Sequence, residues 1–587
     1  MKGFYGKILV IDLSTKTFEI QVLSEEIYKE NLGGKGLGTY LLLNKVRPGI
    51  NPLGPDNKLI FTTGFTTGTR FFGSSRYGVF TKSPQTGLYS ESYSGGRVAP
   101  ALHATGYDAV VLEGVAEKPL FLEVSDKGVI FHSAKGVWGL DTYAAEDKVL
   151  QLVGNSSAQA VVIGPAGENL VSFACLENNY WRSAGRTGAG AVMGSKKVKA
   201  LVFHGNSKIE IADEEALNSL NKEVWEKAKD SLPVKAYRRF GTTQMVAVMN
   251  GAKAFPTRYW NEGVYEDWEQ ISGDALHSGF EVKESACPKC FLACGNIVKV
   301  TKGMHKDLVI EGPEYETIYA FGGLCAIDKL DEIIYLNDLC DRLGIDTITA
   351  GNLVALVMEA GSRGMLQTDL EYGDVDGVVS LLEDISSKRE LGAILAKGIV
   401  EASRELGLEE IAIHVKGLEP PGYDPRVLKG MGLAYATSTR GACHLRATFY
   451  KPELSGVIDP KTVEGKAKLF VEFEDRLTIF NTGTICVFFR DFLQWPILEK
   501  LLKAITGWDY NEEKLRQIAN NVITNSRVFN AREGATIQED RLPERFYKEK
   551  VNEEIDQITK EELEDMVKDY YALRGWEHTG FPKEKEF

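Results

Sequence analysis

The chain has 587 residues, 43% of them apolar and 26% charged, and a formal net charge of −14. That size permits two to four cored domains, and the acidic balance argues against a nucleic-acid binder, whose footprint is a basic face. No run reaches the ~18 apolar residues of a membrane span, residues 1–7 lack the apolar core of a signal peptide, and eight cysteines make no disulfide framework, so the expectation is a cytoplasmic protein with neither membrane nor nucleic-acid partners.

Residues 7–13 and 18–23 alternate as two strands joined by a polar turn, and a helix is predicted from Ser24 with Glu25 and Glu26 in its first turn. From about 58 to 207, short apolar runs (59–61, 109–112, 120–122, 160–163 and 201–203) lie between glycines, the pattern of a β-rich domain of many short strands. Fifty-nine glycines exceed the ~7% background, and they cluster. The densest run, 182–196, fits neither the dinucleotide fingerprint nor a Walker A loop. It leaves backbone N–H groups free to approach an anion, flanked by Arg182 and Arg186. Arg76 and Arg97 sit in two similar glycine segments, and three such segments in one domain suggest a large phosphate-bearing ligand.

Helical texture then takes over. A helix is predicted over 213–240 with Asp213 as its N-cap, and others over 328–343, 348–362, 377–388, 391–405, 464–479, 494–505, 511–526 and 560–573. A second boundary is placed near 415, before the proline-rich turn 419–425, and the charged tail after about 540 is expected on the surface. The fold class is α+β: a β-rich domain (1–207) followed by two mostly helical domains (208–415 and 416–587).

The chemistry concentrates at Cys287, Cys290 and Cys294, spaced C-x2-C-x3-C. Loops of that kind present three thiolates to one iron–sulfur cluster. Structural zinc prefers four ligands in two close pairs, and neither a second C-x2-C nor an H-x3-H follows. A thioredoxin-type dithiol leaves Cys294 unexplained. Cys175, Cys325, Cys340, Cys443 and Cys486 are all open as the fourth ligand on spacing alone. Glu311, Glu314 and Glu316 crowd into six residues after the strand-like 308–310, a pattern that also suits a solvated turn entering a helix. Asp341 stands in the last turn of its helix, against the helix dipole, with Gly344 as the expected C′ residue.

Taken together, the Arg76 segment, 182–191, the cysteine triplet, 311–316, Asp341-x-Leu-Gly-Ile-Asp346, 423–426 and Arg440-Gly-Ala-Cys-His444 resemble the tungsten-containing aldehyde:ferredoxin oxidoreductase family over nearly the whole chain. The resemblance implies a β-rich base for two pyranopterins holding one tungsten (or molybdenum), with allowance for magnesium, and one 4Fe-4S cluster held by Cys287, Cys290, Cys294 and Cys486. By the same analogy Arg76, Tyr93, Ser94, Gly95, Arg182, Ala184, Gly185, Asp341, Gly344, Asp346, Arg446, Asn481 and Ile485 contact the cofactor, while Glu314 and His444 line the substrate pocket. Glu314 would be the general base and His444 the donor to the developing oxyanion. The implied reaction is aldehyde oxidation to a carboxylic acid, with electrons leaving to ferredoxin or an iron–sulfur subunit. A tungsten-dependent aromatic acyl-CoA reductase of the benzoyl-CoA type, or a non-catalytic electron relay, are the alternatives.

Three positions depart from the family pattern. Asn481 replaces the usual acidic pterin contact, Tyr93 stands where asparagine is frequent, and Arg446 stands where lysine is frequent. Glu332 is not followed by the histidine of an E-x-x-H iron site, which argues against a metal-bridged dimer and leaves a homodimer or hetero-oligomer of another kind open.

Overall fold

The computed structural model describes residues 1–551 and 557–582. Strands β1 (Lys7–Asp12), β2 (Thr17–Val22), β3 (Leu59–Thr62), β4 (Tyr77–Lys82), β5 (Tyr89–Ser94) and β6 (Ala109–Glu113) form one sheet in the order β2-β1-β6-β3-β4-β5, parallel only between β1 and β6. A second sheet, β11-β10-β9-β12-β7-β8, is built from β7 (Leu120–Ser125), β8 (Gly128–Ser133), β9 (Gln159–Val162), β10 (Leu176–Asn178), β11 (Arg182–Ala184) and β12 (Val198–Phe203), parallel only between β7 and β12.

Side-chain alternation explains the stacking. Val110 and Leu112 of β6 meet Leu201 and Phe203 of β12 in a core between the sheets. Ala109 and Val111 face the other way, into a core shared with residues from the Gly34–Lys45, Trp495–Thr506 and Glu512–Arg532 helices. Ala200 and Val202 of β12 pack under the Thr142–Val153 helix. Strands buried on both faces read as unbroken apolar runs, and these do.

The predicted helices are found with two breaks. The 213–240 pattern divides into Glu214–Ala228, capped by Asp213 at Ala216 N (2.8 Å), and Leu232–Phe240, which starts with Pro233 in its first turn. The 391–405 pattern divides at Gly398, whose φ of 86° no helix can hold. Three short strands, β13 (Glu281–Ser285), β14 (Gly295–Lys299) and β15 (Val309–Glu311), pair antiparallel in that order. They bracket the cysteine triplet.

One expectation needs refining and one correcting. Within the glycine run over 182–196, Gly190 and Gly194 serve packing, while a Cβ on Gly185 would meet nothing closer than 3.9 Å. Gly190 N donates to Ala174 O (2.9 Å), and a Cβ on Gly190 would stand 2.1 Å from Cys175 O. A Cβ on Gly194 would stand 1.9 Å from Gly167 O. Omitting Cβ lets the Ala189–Ser195 helix lie directly on neighbouring backbone. Gly190→Ala should therefore lower stability by about 2–3 kcal/mol, since a carbonyl cannot step aside like a flexible side chain. Gly251→Ala, with open space around its Cβ, should stay within about 1 kcal/mol of the parent in a denaturant melt.

The tail after 540 is also not a surface segment throughout. Leu542, Phe546, Ile558, Tyr570 and Tyr571 are buried, and Arg574 of the Lys560–Arg574 helix pairs with Glu474 (2.6 Å) and Asp475 (2.5 Å). Charged residues here alternate with an apolar helical face, so composition alone misleads. Residues 552–556 and 583–587 of that tail lie outside the described residues.

Candidate functional site

One cavity of about 660 Å³ gathers most of the residues picked from the sequence. Arg76, Tyr93, Ser94, Gly95, Arg182, Gly185, Asp341 and Asp346 line it together with Cys287, Cys290, Cys294, Cys486, Glu314 and His444. Ala184, Gly344, Arg446, Asn481 and Ile485 are not among its lining residues. Ala184 and Ile485 are apolar core, and Gly344 is the left-handed C-cap of the Leu330–Leu343 helix. The Arg446 guanidinium is committed to Glu91, a fully buried carboxylate that Lys35 also holds (3.0 Å). Asn481 abuts the N-terminal backbone: a Cβ on Gly34 would stand 2.2 Å from its carbonyl oxygen.

Two of the four cysteines, Cys287 and Cys486, are hydrogen-bonded to the β-rich base. The loop after β13 is pinned by Gly96 N on Cys287 Sγ (3.3 Å), Ser75 Oγ on Pro288 O (2.9 Å) and Lys289 Nζ on Thr69 O (2.9 Å). Cys486 arrives almost 200 residues later, and its N–H donates to Gly73 O (2.9 Å). Burial, with Cys486 and Cys287 nearby, pushes the Cys290 thiol up to about 12, and burial with Cys486 and Glu314 raises Cys294 well above its ordinary value. Thiols crowded in this way suit a metal that takes them as thiolates. Among the described residues no three His, Cys, Asp or Glu side chains gather tightly enough for a single ion. Three thiols of one loop and Cys486 from a distant segment line the same cavity, a donor set that an iron–sulfur cube would take.

The opposite flank of the cavity is acidic. Asp341, in the last turn of the Leu330–Leu343 helix, accepts from Asn337 Nδ2 (2.8 Å). Burial raises Asp341, and burial together with Asp341 raises Glu177. Glu177 Oε1 is buried without a hydrogen-bond partner. Acceptors of this kind fit a ring edge rich in N–H donors, which is the character of a pterin. Glu177 escaped the sequence reading because it sits in an ordinary strand, β10. Asp346 has two duties: it caps the Thr347–Ser362 helix at Ile348 N and Thr349 N, and it receives Arg186 Nε (3.3 Å). Arg182, expected at the cofactor's phosphate region, pairs with Glu311 on the cavity wall.

Glu314 and Glu316 part company. Glu314 takes a hydrogen bond from Thr242 Oγ1 and lies on the Cys294 side. Glu316 faces His444, with Oε1 3.5 Å from His444 Nε2, and Gly422 N donates to its Oε2 (3.1 Å). Burial pushes Glu316 up to about 8, against the pull of Gly422 N and Arg186. Burial, then Arg186, Arg440, Arg446 and Arg490, keep the His444 imidazole neutral, and its Nδ1 is buried without a partner. Tyr423 stacks on His444 (ring centroids 5.5 Å apart) and on Tyr450 (4.1 Å). The backbone passes through a π-helical stretch at Ile318–Gly323 just after Glu316, a feature frequent at functional sites. Glu332, meanwhile, is held by His305 (2.7 Å), whose ring stacks on Tyr335.

Sequence profiles settle the kinship of this arrangement. The profile described as "Aldehyde ferredoxin oxidoreductase, N-terminal domain" matches residues 8–205, and that of "domains 2 & 3" matches residues 219–587. The chain belongs to the aldehyde ferredoxin oxidoreductase family. It is 36% identical to the tungsten-containing aldehyde ferredoxin oxidoreductase of Thermococcus kodakarensis, across 100% of this chain and 98% of that one. The Pyrococcus furiosus counterpart is 35% identical with the same coverage. A Pyrococcus furiosus aliphatic sulfonate oxidoreductase, WOR-like subunit, is 28% identical over 100% of this chain and 96% of its own. Among solved structures, the active-site complex BamBC of benzoyl coenzyme A reductase with 1,5-dienoyl-CoA superposes with a TM-score of 0.86 at 22% identity, covering 99% of this chain and 96% of that one, a likeness of fold. Among the described residues no helix is long and apolar enough to cross a membrane.

Proposed function

We propose that this family member oxidises aldehydes to carboxylic acids at a tungsten bis-pyranopterin site and passes the electrons through one 4Fe-4S cluster to ferredoxin or an iron–sulfur subunit. The observation that carries the reading is the shared cavity: four cysteines, Asp341 and the Glu316–His444 couple all open onto one space. Cys287, Cys290, Cys294 and Cys486 would hold the cluster, and Asp341 with Glu177 would accept from a pterin edge. When bound, the metal cofactor supplies the two-electron chemistry and the cluster the one-electron exit.

The protein supplies proton handling. Aldehyde and water give acid, two protons and two electrons. Glu316 Oε1, turned to His444 and otherwise unpartnered, accepts a proton from the attacking water. Neutral His444 offers one N–H to the carbonyl oxygen as charge develops there. This moves the base from Glu314 to Glu316, two residues on. The stacked Tyr423 and Tyr450 rings keep an apolar wall beside the reacting centre. In the same proposal the chain divides into a β-rich base (1–207) and two mostly helical domains (208–415 and 416–587).

Metal and pterin analysis of anaerobically purified protein tests the cofactor reading, and turnover of short aldehydes against aromatic CoA thioesters tests the substrate. The expected result is about one tungsten per chain and aldehyde turnover with dye reduction. Turnover of the thioester alone would overturn the aldehyde reading in favour of the acyl-CoA reductase.

A further inference from the structure

Where the cysteine loop meets solvent at Lys289, positive charge gathers. Lys289, exposed between Cys287 and Cys290 with a φ of 59°, donates to Thr69 O, so it stands beside the next residue, Arg70. Arg70 is exposed. On the other flank Gly96 N donates to Cys287 Sγ, and a Cβ on Gly95 would lie 3.3 Å from that sulfur; the next residue, Arg97, is exposed. Among the described residues none of these three cations takes part in an ion pair. Glu284, at the end of β13, faces Arg238 (3.9 Å), which also donates to Phe291 O within the loop (2.8 Å).

This grouping runs against the rest of the molecule. A chain of net charge −14 has carboxylates to spare, yet three exposed cations cluster here without one. Like charges gathered at one spot repel, and an anionic surface laid over them would relieve that repulsion. Net repulsion from an acidic chain would otherwise slow any acidic partner, and a local basic face is what overcomes it and orients the encounter.

We propose that Arg70, Arg97 and Lys289 form the docking face for a small acidic electron-transfer protein, which seats over the Cys287–Cys290 edge. The proposal rests on the reading of the four cysteines as a cluster site, and it adds where the electrons leave and what charge the acceptor carries. The partner's acidic rim would pair with the three cations while its own cluster approaches the loop edge. One electron then moves from the cluster of this chain to that of the partner, or back, without bond making.

The test mixes anaerobic holoenzyme with a reduced acidic ferredoxin in a stopped-flow instrument and follows cluster reduction, normalised to reduction of the same sample by dithionite. For the parent, the bimolecular rate should fall at least tenfold between low and high salt. Arg70→Glu/Arg97→Glu should lower the low-salt rate at least tenfold and flatten the salt dependence, with Arg70→Gln/Arg97→Gln in between. A parent rate indifferent to salt, or a charge-reversed variant as fast as the parent, would overturn the proposal. Calorimetric binding of oxidised ferredoxin reads the same face whether or not a cluster is present. Weaker binding by the charge-reversed variant supports the docking face even if the cofactor reading fails, and equal binding sinks it.

Discussion

Replacing Glu316 with glutamine should cut kcat for aldehyde oxidation by about 10²–10⁴, the usual worth of a positioned general base. Iron and tungsten contents should stay at the parent's level. Glutamine keeps the volume and can still accept from Gly422 N, so the loss isolates the proton acceptor at Oε1. The pH profile supplies the sign. A base held at about 8 is mostly protonated at neutral pH, so kcat should rise with pH up to about 8 and level off above it, and Glu316→Gln should lose that limb. Glu314→Gln is the contrasting variant. Its carboxylate is bonded to Thr242 and borders Cys294, so its removal should leave the pH limb in place. A Glu316→Gln enzyme with parental kcat and an unchanged limb would return the base to Glu314.

The choice between those two glutamates marks where sequence reasoning ran out. Both follow β15 within six residues of Glu311, and both look like first-turn acids of a helix. Which one meets His444 depends on the angle at which the Tyr315–Thr317 turn enters the π-helical stretch, and that angle is set by packing of Tyr315 and Tyr319 against Gly422 O and Pro420 O, more than 100 residues away. The runs 59–61, 109–112, 120–122, 160–163 and 201–203 were legible for a local reason, since both faces are buried and every residue is apolar, whereas β5, as deeply buried, is written largely in serine and tyrosine. The triplet was legible because three cysteines at that spacing have few structural uses. The Arg446–Glu91 pair was not, because the two residues are separated by most of the chain. The glycine run was ambiguous in principle: a missing Cβ serves an approaching anion and an approaching helix equally well, and at Gly190 and Gly194 the neighbouring carbonyls of Cys175 and Gly167 show the second use.

Cys486→Ala carries the other large expected effect, and the backbone around it says why. The Asn481–Cys486 stretch is held to the β-rich base by Thr66 Oγ1 on Gly483 O (2.7 Å), the Thr67–Thr484 hydroxyl pair (2.8 Å) and Cys486 N on Gly73 O. A Cβ on Gly64 would stand 2.2 Å from the Gly483 carbonyl carbon. Contacts this close fix the sulfur's position from the N-terminal side, so the thiol is delivered to the triplet by backbone packing, and alanine leaves that packing intact. The variant should fold with a parental melting curve yet lose most of the roughly four irons per chain expected of one cube. Electron delivery to ferredoxin should fall at least 10²-fold, measured alongside iron content and the reduced-cluster resonance. Cys325→Ala is the control. Its sulfur lies in the helical core against Ala320 O and Gly351 O, so that variant should keep its iron and lose only the stability of a small cavity, about 1 kcal/mol. If Cys486→Ala kept a full complement of iron while Cys175→Ala, the other cavity-lining cysteine, lost it, the fourth ligand would be Cys175, and the electron exit would shift from the Gly73 loop toward β10.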